Sequence, residues 1–207
     1  MNPDVPTDDL ILSVKPIGFV RTGALTRIEA PRQPGAAPGL RGRIELLPGH
    51  NFEHALQDLE GWDYVWVVFW FHQNTTWRPK VLPPRSTSGR KGVFATRAPY
   101  RPNPIGLSAL KLDRIDGLTL HVEGVDMLDG TPVLDIKPYV PYTDAWPAAR
   151  SGWLEDAALR SHQSGNPADP LSSYQLSFAT AAAEQARWIE AHSGMAIRDR
   201  IVAILSL

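Results

Sequence analysis

The segment Pro99-Tyr100-Arg101-Pro102-Asn103-Pro104 packs three prolines into six residues, and no regular element tolerates that. Each proline fixes φ, lacks a backbone N–H, and drives the residue before it out of the helical region. Ala98 to Ile105 therefore reads as a stiff, extended loop, neither helix nor central strand. The longer stretch around it, Gly92 to Ser108 (GVFATRAPYRPNPIGLS), starts as a strand. The loop projects Arg97, Tyr100, Arg101 and Asn103 in set directions, so little further entropy is lost when they meet an anionic or planar ligand. Physics alone leaves two readings open: a binding element, or a Pro-rich turn between two barrel strands.

The charge around that loop is uneven. From Tyr64 to Leu112 there is no Asp or Glu, yet there are eight basic residues: Arg78, Lys80, Arg85, Arg90, Lys91, Arg97, Arg101 and Lys111. The whole chain of 207 residues has a net charge of −1, so the remainder carries nine net negative charges. Such an asymmetry is either the local footprint of a polyanion site or a chance cluster on a solvated face. Cysteine is absent, which excludes a disulfide frame, a thiolate metal site and a cysteine nucleophile. The start, MNPDVPTDDLILSV, has acids where a secretion signal would be basic, and no apolar run reaches membrane-spanning length. A cytoplasmic protein is the expectation, with no membrane and no metal.

Short strands dominate the rest. Ser13 to Thr22, Arg43 to Leu47, Leu107 to Leu112, Leu118 to Val125 and Val133 to Lys137 alternate or carry β-branched residues. Asp63 to Gln73 (DYVWVVFWFHQ) is the strongest strand, apolar on both faces as a strand buried on both sides would be. His72 and Gln73 fall at its end, where a strand hands over to a loop; a lone histidine there is an ordinary hydrogen-bonding residue or a ligand contact. Arg27 to Gly42 is loop by composition, and it carries the trio Pro31-Arg32-Gln33. Trp77 beside Arg78 and Lys80 is either a stacking platform for a base or a lid on the core. Asp129-Gly130 is a turn signal whose plain reading is a hairpin. Asp135 and Lys137 point to one face of their strand and Ile136 to the other, so the two charges form a site wall or an ion pair.

Helices are few. Asn51 to Leu59 reads as a short helix, Thr180 to His192 as one stopped by Gly194, and Ile197 to Leu205 as a second with one apolar face. Gln175 to Phe178 allows one more strand, and Tyr142 to Pro170 is linker-like. Strands that follow one another through loops favour a mainly β fold: one β-barrel over 13–146 with a C-terminal helical extension over 147–207. There is no G-x-G-x-x-G after a strand, no P-loop, no H-E-x-x-H and no G-x-S-x-G. A dinucleotide fold, a phosphate-cradling loop and a zinc hydrolase are without support.

Five motifs occur in order: PRQPG (31–35), FHQ (71–73), WRPKVLPPR (77–85), GVFATRAPYRPNPIGLS (92–108) and DMLDGTPVLDIKPYVPYTD (126–144). In this combination, over about residues 14 to 146, the chain resembles the TsaA/YaeB-like (TrmO-type) family. Its members are S-adenosylmethionine-dependent methyltransferases acting on N6 of threonylcarbamoyladenosine at position 37 of tRNA, beside the anticodon. The resemblance implies a barrel of non-Rossmann type and a homodimer. It also implies a cofactor site of Pro31, Arg32, Gln33, His72, Gln73, Arg97, Leu107, Leu128, Asp129, Gly130 and Thr131. An arginine suits the carboxylate of the cofactor's amino-acid tail, and main-chain groups at 129–131 suit its adenine or ribose.

The acceptor side is expected among Asn103, Tyr100, Asp135, Lys137 and Tyr139, with Asp135, Tyr139 and Asn103 as catalytic candidates and no choice of base between Asp135 and Tyr139. Arg78, Lys80, Arg85, Tyr100 and Arg101 are the expected RNA contacts. Longer members carry an Asp-Pro-Arg-Pro segment after the helices, and this sequence reads to Leu207 without it. Two other functions fit the same residues: a non-catalytic S-adenosylmethionine-binding sensor or adaptor, and a methyltransferase for a small acceptor.

Overall fold

The computed structural model describes residues 11–24, 40–84, 86, 88–155, 177–193, 197, 198 and 201. Six strands close into an antiparallel barrel: β1 (Gly18–Arg21), β2 (Arg41–Leu46), β3 (Tyr64–Trp70), β6 (Ile105–Asp116), β7 (Thr119–Glu123) and β8 (Pro132–Pro138). Around the wall the order is β1-β2-β7-β6-β3-β8 and back to β1. The pairs β4 (Lys80–Val81) and β5 (Lys91–Gly92) form a separate two-stranded ribbon in the long β3–β6 connection. Helix α1 (Phe52–Ala55) is a single turn, shorter than the helix expected over 51–59, because Asn51 and Asp58 on either side take left-handed backbone. Helix α2 (Pro141–Asp144) follows β8, and α3 (Thr180–Ser193) matches the expected helix. Residues 177 and 178 form no strand, and most of the proposed last helix lies outside the described residues.

Side chains pointing inward fill the barrel, as a six-stranded barrel requires. Val20, Ile44, Val65, Val67, Leu110, Leu120, Val122 and Val133 are buried, with Leu46, Phe69 and Leu112 beside them. Leu56 and the partly buried Phe52 and Leu59 close one end; Val125 and Met127, both buried, close the other. The period-two pattern of β6 and β7 places these residues, and a shift between Leu112 and Arg114 restores the register with β7.

The expectation for β3 is corrected in one respect. Val65, Val67 and Phe69 are buried, but Tyr64 and Trp70 are each 44% exposed on the outer face. Cross-strand register sets Val68 between Leu107 on β6 and Asp135 on β8, and sets Trp70 beside Ile105. The outer face of β6 and β3 toward the rim is therefore an apolar surface open to solvent, with Ile105 46% and Leu107 53% exposed, while β8 beside it carries Asp135 and Lys137. A second correction concerns Asp129-Gly130. Gly130 takes φ 73 as a turn demands, but β7 and β8 do not pair, so this is no hairpin. The turn is tied to β1 instead, by Gly130 N–H to Val20 O and Asp129 N–H to Ala24 O, both 2.9 Å.

Candidate functional site at the barrel rim

Alternating strand direction decides where the loops emerge. The β1–β2, β3–β6 and β7–β8 connections all leave the same end of the barrel. These are the connections that hold Pro31 to Gln33, then His72 to Asn103, then Leu128 to Thr131. Pro31, Arg32, Gln33 and Arg85 lie outside the described residues, so only their connection can be placed.

The β3–β6 connection is braced along its length. Phe71 N–H bonds Pro104 O at 2.8 Å, Arg78 N–H bonds Tyr100 O at 3.1 Å, and Val93 N–H bonds Pro79 O at 3.0 Å. Asn74 Nδ2 donates to Thr76 O and Pro99 O. Arg101 is part of this brace: its Nη1 donates to Val93 O and Thr96 O at 3.2 and 2.9 Å, with the guanidinium over Phe94. One nitrogen of the guanidinium expected to meet RNA is thus held within the loop. Arg78 lies over the Tyr100 ring at 4.8 Å, while Lys80 and Trp77 are exposed. The stiff loop that three prolines dictate is present, and Val93–Ala95 before it forms a short 3₁₀ turn where a longer strand was expected.

Arg97 emerges from this loop exposed, with no hydrogen bond or ion pair to another described residue. Its charge is nonetheless felt by Asp126, which sits between the buried Val125 and Met127 in the β7–β8 connection. Asp126 Oδ1 accepts a 2.7 Å hydrogen bond from Ser108 Oγ, and Ser108 is 2% exposed on the inner face of β6. Burial is the largest influence on this carboxyl and pushes its pKa up to about 6, against the lowering effects of Ser108, its own N–H and Arg97. Sequence reasoning passed over Asp126. The available signal was an acid flanked by two apolar residues opposite an acid-free basic stretch.

Thr131 is buried and Leu128, Asp129 and Gly130 are partly so. The N–H groups of Asp129, Gly130 and Thr131 are all taken by main-chain oxygens, and Asp129 Oδ1 accepts from Thr22 N–H at 3.0 Å. The turn therefore offers a ligand acceptors rather than donors. Beside it, Arg21, Arg41, Arg43, Gly23, His121 and Asp129 line an open cavity of about 420 Å³. Arg21 bonds Glu45 at 2.9 Å, which raises its pKa and lowers that of Glu45. These arginines, on β1 and β2, were not singled out from the sequence because they are spread among acids.

The remaining expected residues divide by place. His72 is partly buried and Gln73 and Asn103 are exposed at the same rim. Leu107 points out of the barrel, on the opposite side of β6 from Ser108. Asp135 also faces outward, paired with Lys137 at 2.6 Å and accepting from Ile136 N–H, which resolves the open choice there as an ion pair. Tyr139 packs against Trp66 on that same wall, with ring centroids 5.3 Å apart. Trp66 Nε1 in turn donates to Asp144, whose pKa is lowered chiefly by Val140 N–H and then by this bond.

Residues 19–145 match the tRNA-methyltransferase O N-terminal domain. A Pseudomonas aeruginosa protein, RcsF, provisionally named an S-adenosylmethionine-dependent methyltransferase, is 46% identical over 168 residues, covering 74% of this chain and 73% of its own. The Escherichia coli (strain K12) tRNA (adenine(37)-N6)-methyltransferase is 39% identical over 148 residues, which is 68% of this chain and 63% of that protein. The crystal structure of TrmO from Pseudomonas aeruginosa superposes with a TM-score of 0.70 at 38% identity, covering 95% of this chain and 82% of the solved one. A shared barrel, shared motifs and this degree of identity lead to one conclusion: the chain belongs to the tRNA-methyltransferase O family.

Proposed function

We propose that this protein transfers a methyl group from S-adenosylmethionine to N6 of threonylcarbamoyladenosine at position 37 in the anticodon loop of tRNA. The observation that carries the reading is the convergence of all three motif-bearing connections on one rim of a family barrel, with Arg97 exposed there and without a hydrogen bond or ion pair among the described residues. The residues present fit the cofactor: Arg97 suits a carboxylate, and the acceptor-rich turn at 128–131 suits an adenine amino group. When bound, S-adenosylmethionine supplies a methyl group on a sulfonium. The chain supplies position, because an in-line transfer demands alignment of sulfur, methyl and nitrogen above all. Pro31, Arg32, Gln33, His72 and Gln73 join Arg97 on the cofactor side of this reading, and Asn103 and Tyr100 face the acceptor. The N6 proton must leave as the new bond forms; a carbamoylated N6 is acidic enough for a modest base or water to take it. Asp135 and Tyr139 serve as that base only for an acceptor reaching the outer wall of β8.

Transfer of labelled methyl groups to tRNA carrying threonylcarbamoyladenosine tests the proposal directly. Incorporation no greater than without enzyme overturns it, and cofactor binding without turnover on any tRNA pool favours the sensor reading. The RNA side has its own test. Replacing Arg78, Lys80 and Arg85 together by alanine is expected to weaken tRNA binding and to flatten its salt dependence by roughly 2 in log–log slope, if each meets one phosphate. Cofactor affinity should stay as it is. A variant that methylates tRNA as well as the parent removes these three side chains from the RNA contacts.

The same proposal places the protein in the cytoplasm as a homodimer, with 13–146 as the catalytic barrel and 147–207 as an extension. Among the described residues, no helix is long and apolar enough to cross a membrane. The exposed Trp70, Ile105 and Leu107 give a second copy an apolar wall to cover. Ile105→Glu with Leu107→Glu is expected to halve the mass seen by light scattering; a parent already monomeric at working concentration sinks the dimer.

A further inference from the structure

Asp126 has no part in the reaction as proposed above, yet the fold holds a carboxylate at a costly place. It lies at the rim between two buried apolar residues, and the groups that face it are Ser108 from β6 and Arg97 from the β3–β6 connection. A carboxylate whose burial outweighs the hydrogen bonds and charge that favour it disfavours folding, whereas a neutral residue there would not. Arg97 and Asp126 thus present opposite charges from two connections at one end of the barrel, within electrostatic reach but not joined as an ion pair.

That arrangement matches one chemical pattern. The amino-acid tail of S-adenosylmethionine carries a carboxylate and an ammonium on the same carbon. We infer that Asp126 is the receptor for the ammonium group of that tail, next to the carboxylate held by Arg97. The inference rests on the cofactor reading and deepens it. The sulfonium is the other positive charge of the molecule, but it lies three bonds further along the chain from the tail carbon. A receptor adjacent to Arg97 meets the ammonium first. The site then selects for an intact α-amino acid: S-adenosylhomocysteine, which keeps the tail, is accepted, and 5′-methylthioadenosine, which lacks it, gains nothing from Asp126.

Asp126→Asn isolates the charge, because the amide oxygen still accepts from Ser108. Calorimetry of parent and variant with S-adenosylmethionine, S-adenosylhomocysteine and 5′-methylthioadenosine reads the outcome. The expected result is about 10- to 100-fold weaker binding of the first two and equal binding of the third, in line with loss of a charged hydrogen bond. The parent's affinity for S-adenosylmethionine should fall about tenfold per pH unit below about 6, as the carboxyl takes up its proton, and the variant should be flat over that range. The stability of the free protein moves the other way. The folded pKa lies above the ordinary 3.8, so the contribution of this group grows as pH falls from about 6 toward 4, and the variant lacks that gain.

Two results overturn the assignment while leaving the cofactor reading intact: unchanged affinity for both tailed ligands, or an equal loss for 5′-methylthioadenosine. A loss confined to S-adenosylmethionine, with S-adenosylhomocysteine unaffected, moves Asp126 to the sulfonium and overturns it too. A parent that binds none of the three removes the cofactor reading, and this inference with it.

Discussion

Gly106→Val is expected to destabilise the barrel by about 3 kcal/mol, the upper end of the cost of overpacking a core. Gly106 is buried on β6 directly opposite Phe69 of β3. A Cβ at that position would overlap Cζ, Cε1 and Cε2 of the Phe69 ring, which lies flat over the glycine. The ring has little freedom to yield, since Phe71 packs edge-on against it with centroids 5.0 Å apart. For a chain of this length each kcal/mol moves the midpoint by roughly 2–4 °C, so thermal unfolding should fall by about 6–12 °C. Pairing the change with Phe69→Leu should recover part of the loss, because the two sites share one contact. Gly92→Ala serves as the control: nothing lies within 4 Å of its added carbon, and its φ of −56 suits any residue. A Gly106→Val protein that melts with the parent would mean that β3 and β6 do not meet in this register.

This glycine explains a piece of the functional rim as well. Ser108 is two residues on and faces inward as Gly106 does. The close approach of β6 to Phe69 therefore fixes the depth from which Ser108 reaches Asp126.

Proline chemistry made the rim legible before any coordinates. Pro99, Pro102 and Pro104 exclude helix and ladder alike, and the structure carries an irregular, braced loop there until β6 begins at Ile105. Alternation likewise gave the inward faces of β6 and β7, because period two is a local property. What failed was non-local. DYVWVVFWFHQ is equally apolar on both faces, and composition alone does not say whether a second face is covered by the same chain. Here the outer residues Tyr64 and Trp70 stay open. Asp129-Gly130 looked like a hairpin because a turn signal is local, whereas barrel closure inserts β8 between β1 and β3. Asp126 escaped notice for the same reason. Its meaning comes from Ser108, 18 residues earlier, and from Arg97 on another connection, and no spacing rule joins the three. Arg101 shows a role that composition does not reveal, since a basic residue in a basic loop also braces the loop itself.

Arg97→Ala should have the largest effect on ligand binding, weakening S-adenosylmethionine by about 30- to 100-fold, or roughly 2–3 kcal/mol. The argument begins with what the loop leaves over. Arg78 is stacked on Tyr100, Arg101 is bonded to Val93 and Thr96, and Arg97 alone of these three has neither a ring contact nor a hydrogen bond or ion pair among the described residues. A guanidinium held by a stiff loop is prepared for a bidentate carboxylate, so binding costs little ordering. Arg97→Lys keeps the charge but loses the fork and should fall between parent and alanine. Isothermal titration separates this from a general defect, since 5′-methylthioadenosine, without the carboxylate, should bind parent and variant alike. In the steady state the loss should appear as a raised KM for the cofactor with kcat largely kept at saturation, because Arg97 holds a group that does not change during transfer. A fall in kcat with KM unchanged would instead place Arg97 at the reacting atoms. Arg97 and Asp126 are expected to couple. In the double variant with Asp126→Asn the losses should add to less than their sum, as both act on one tail. Full additivity would mean that the two charges meet different parts of the ligand, and the shared receptor at the rim would have to be abandoned.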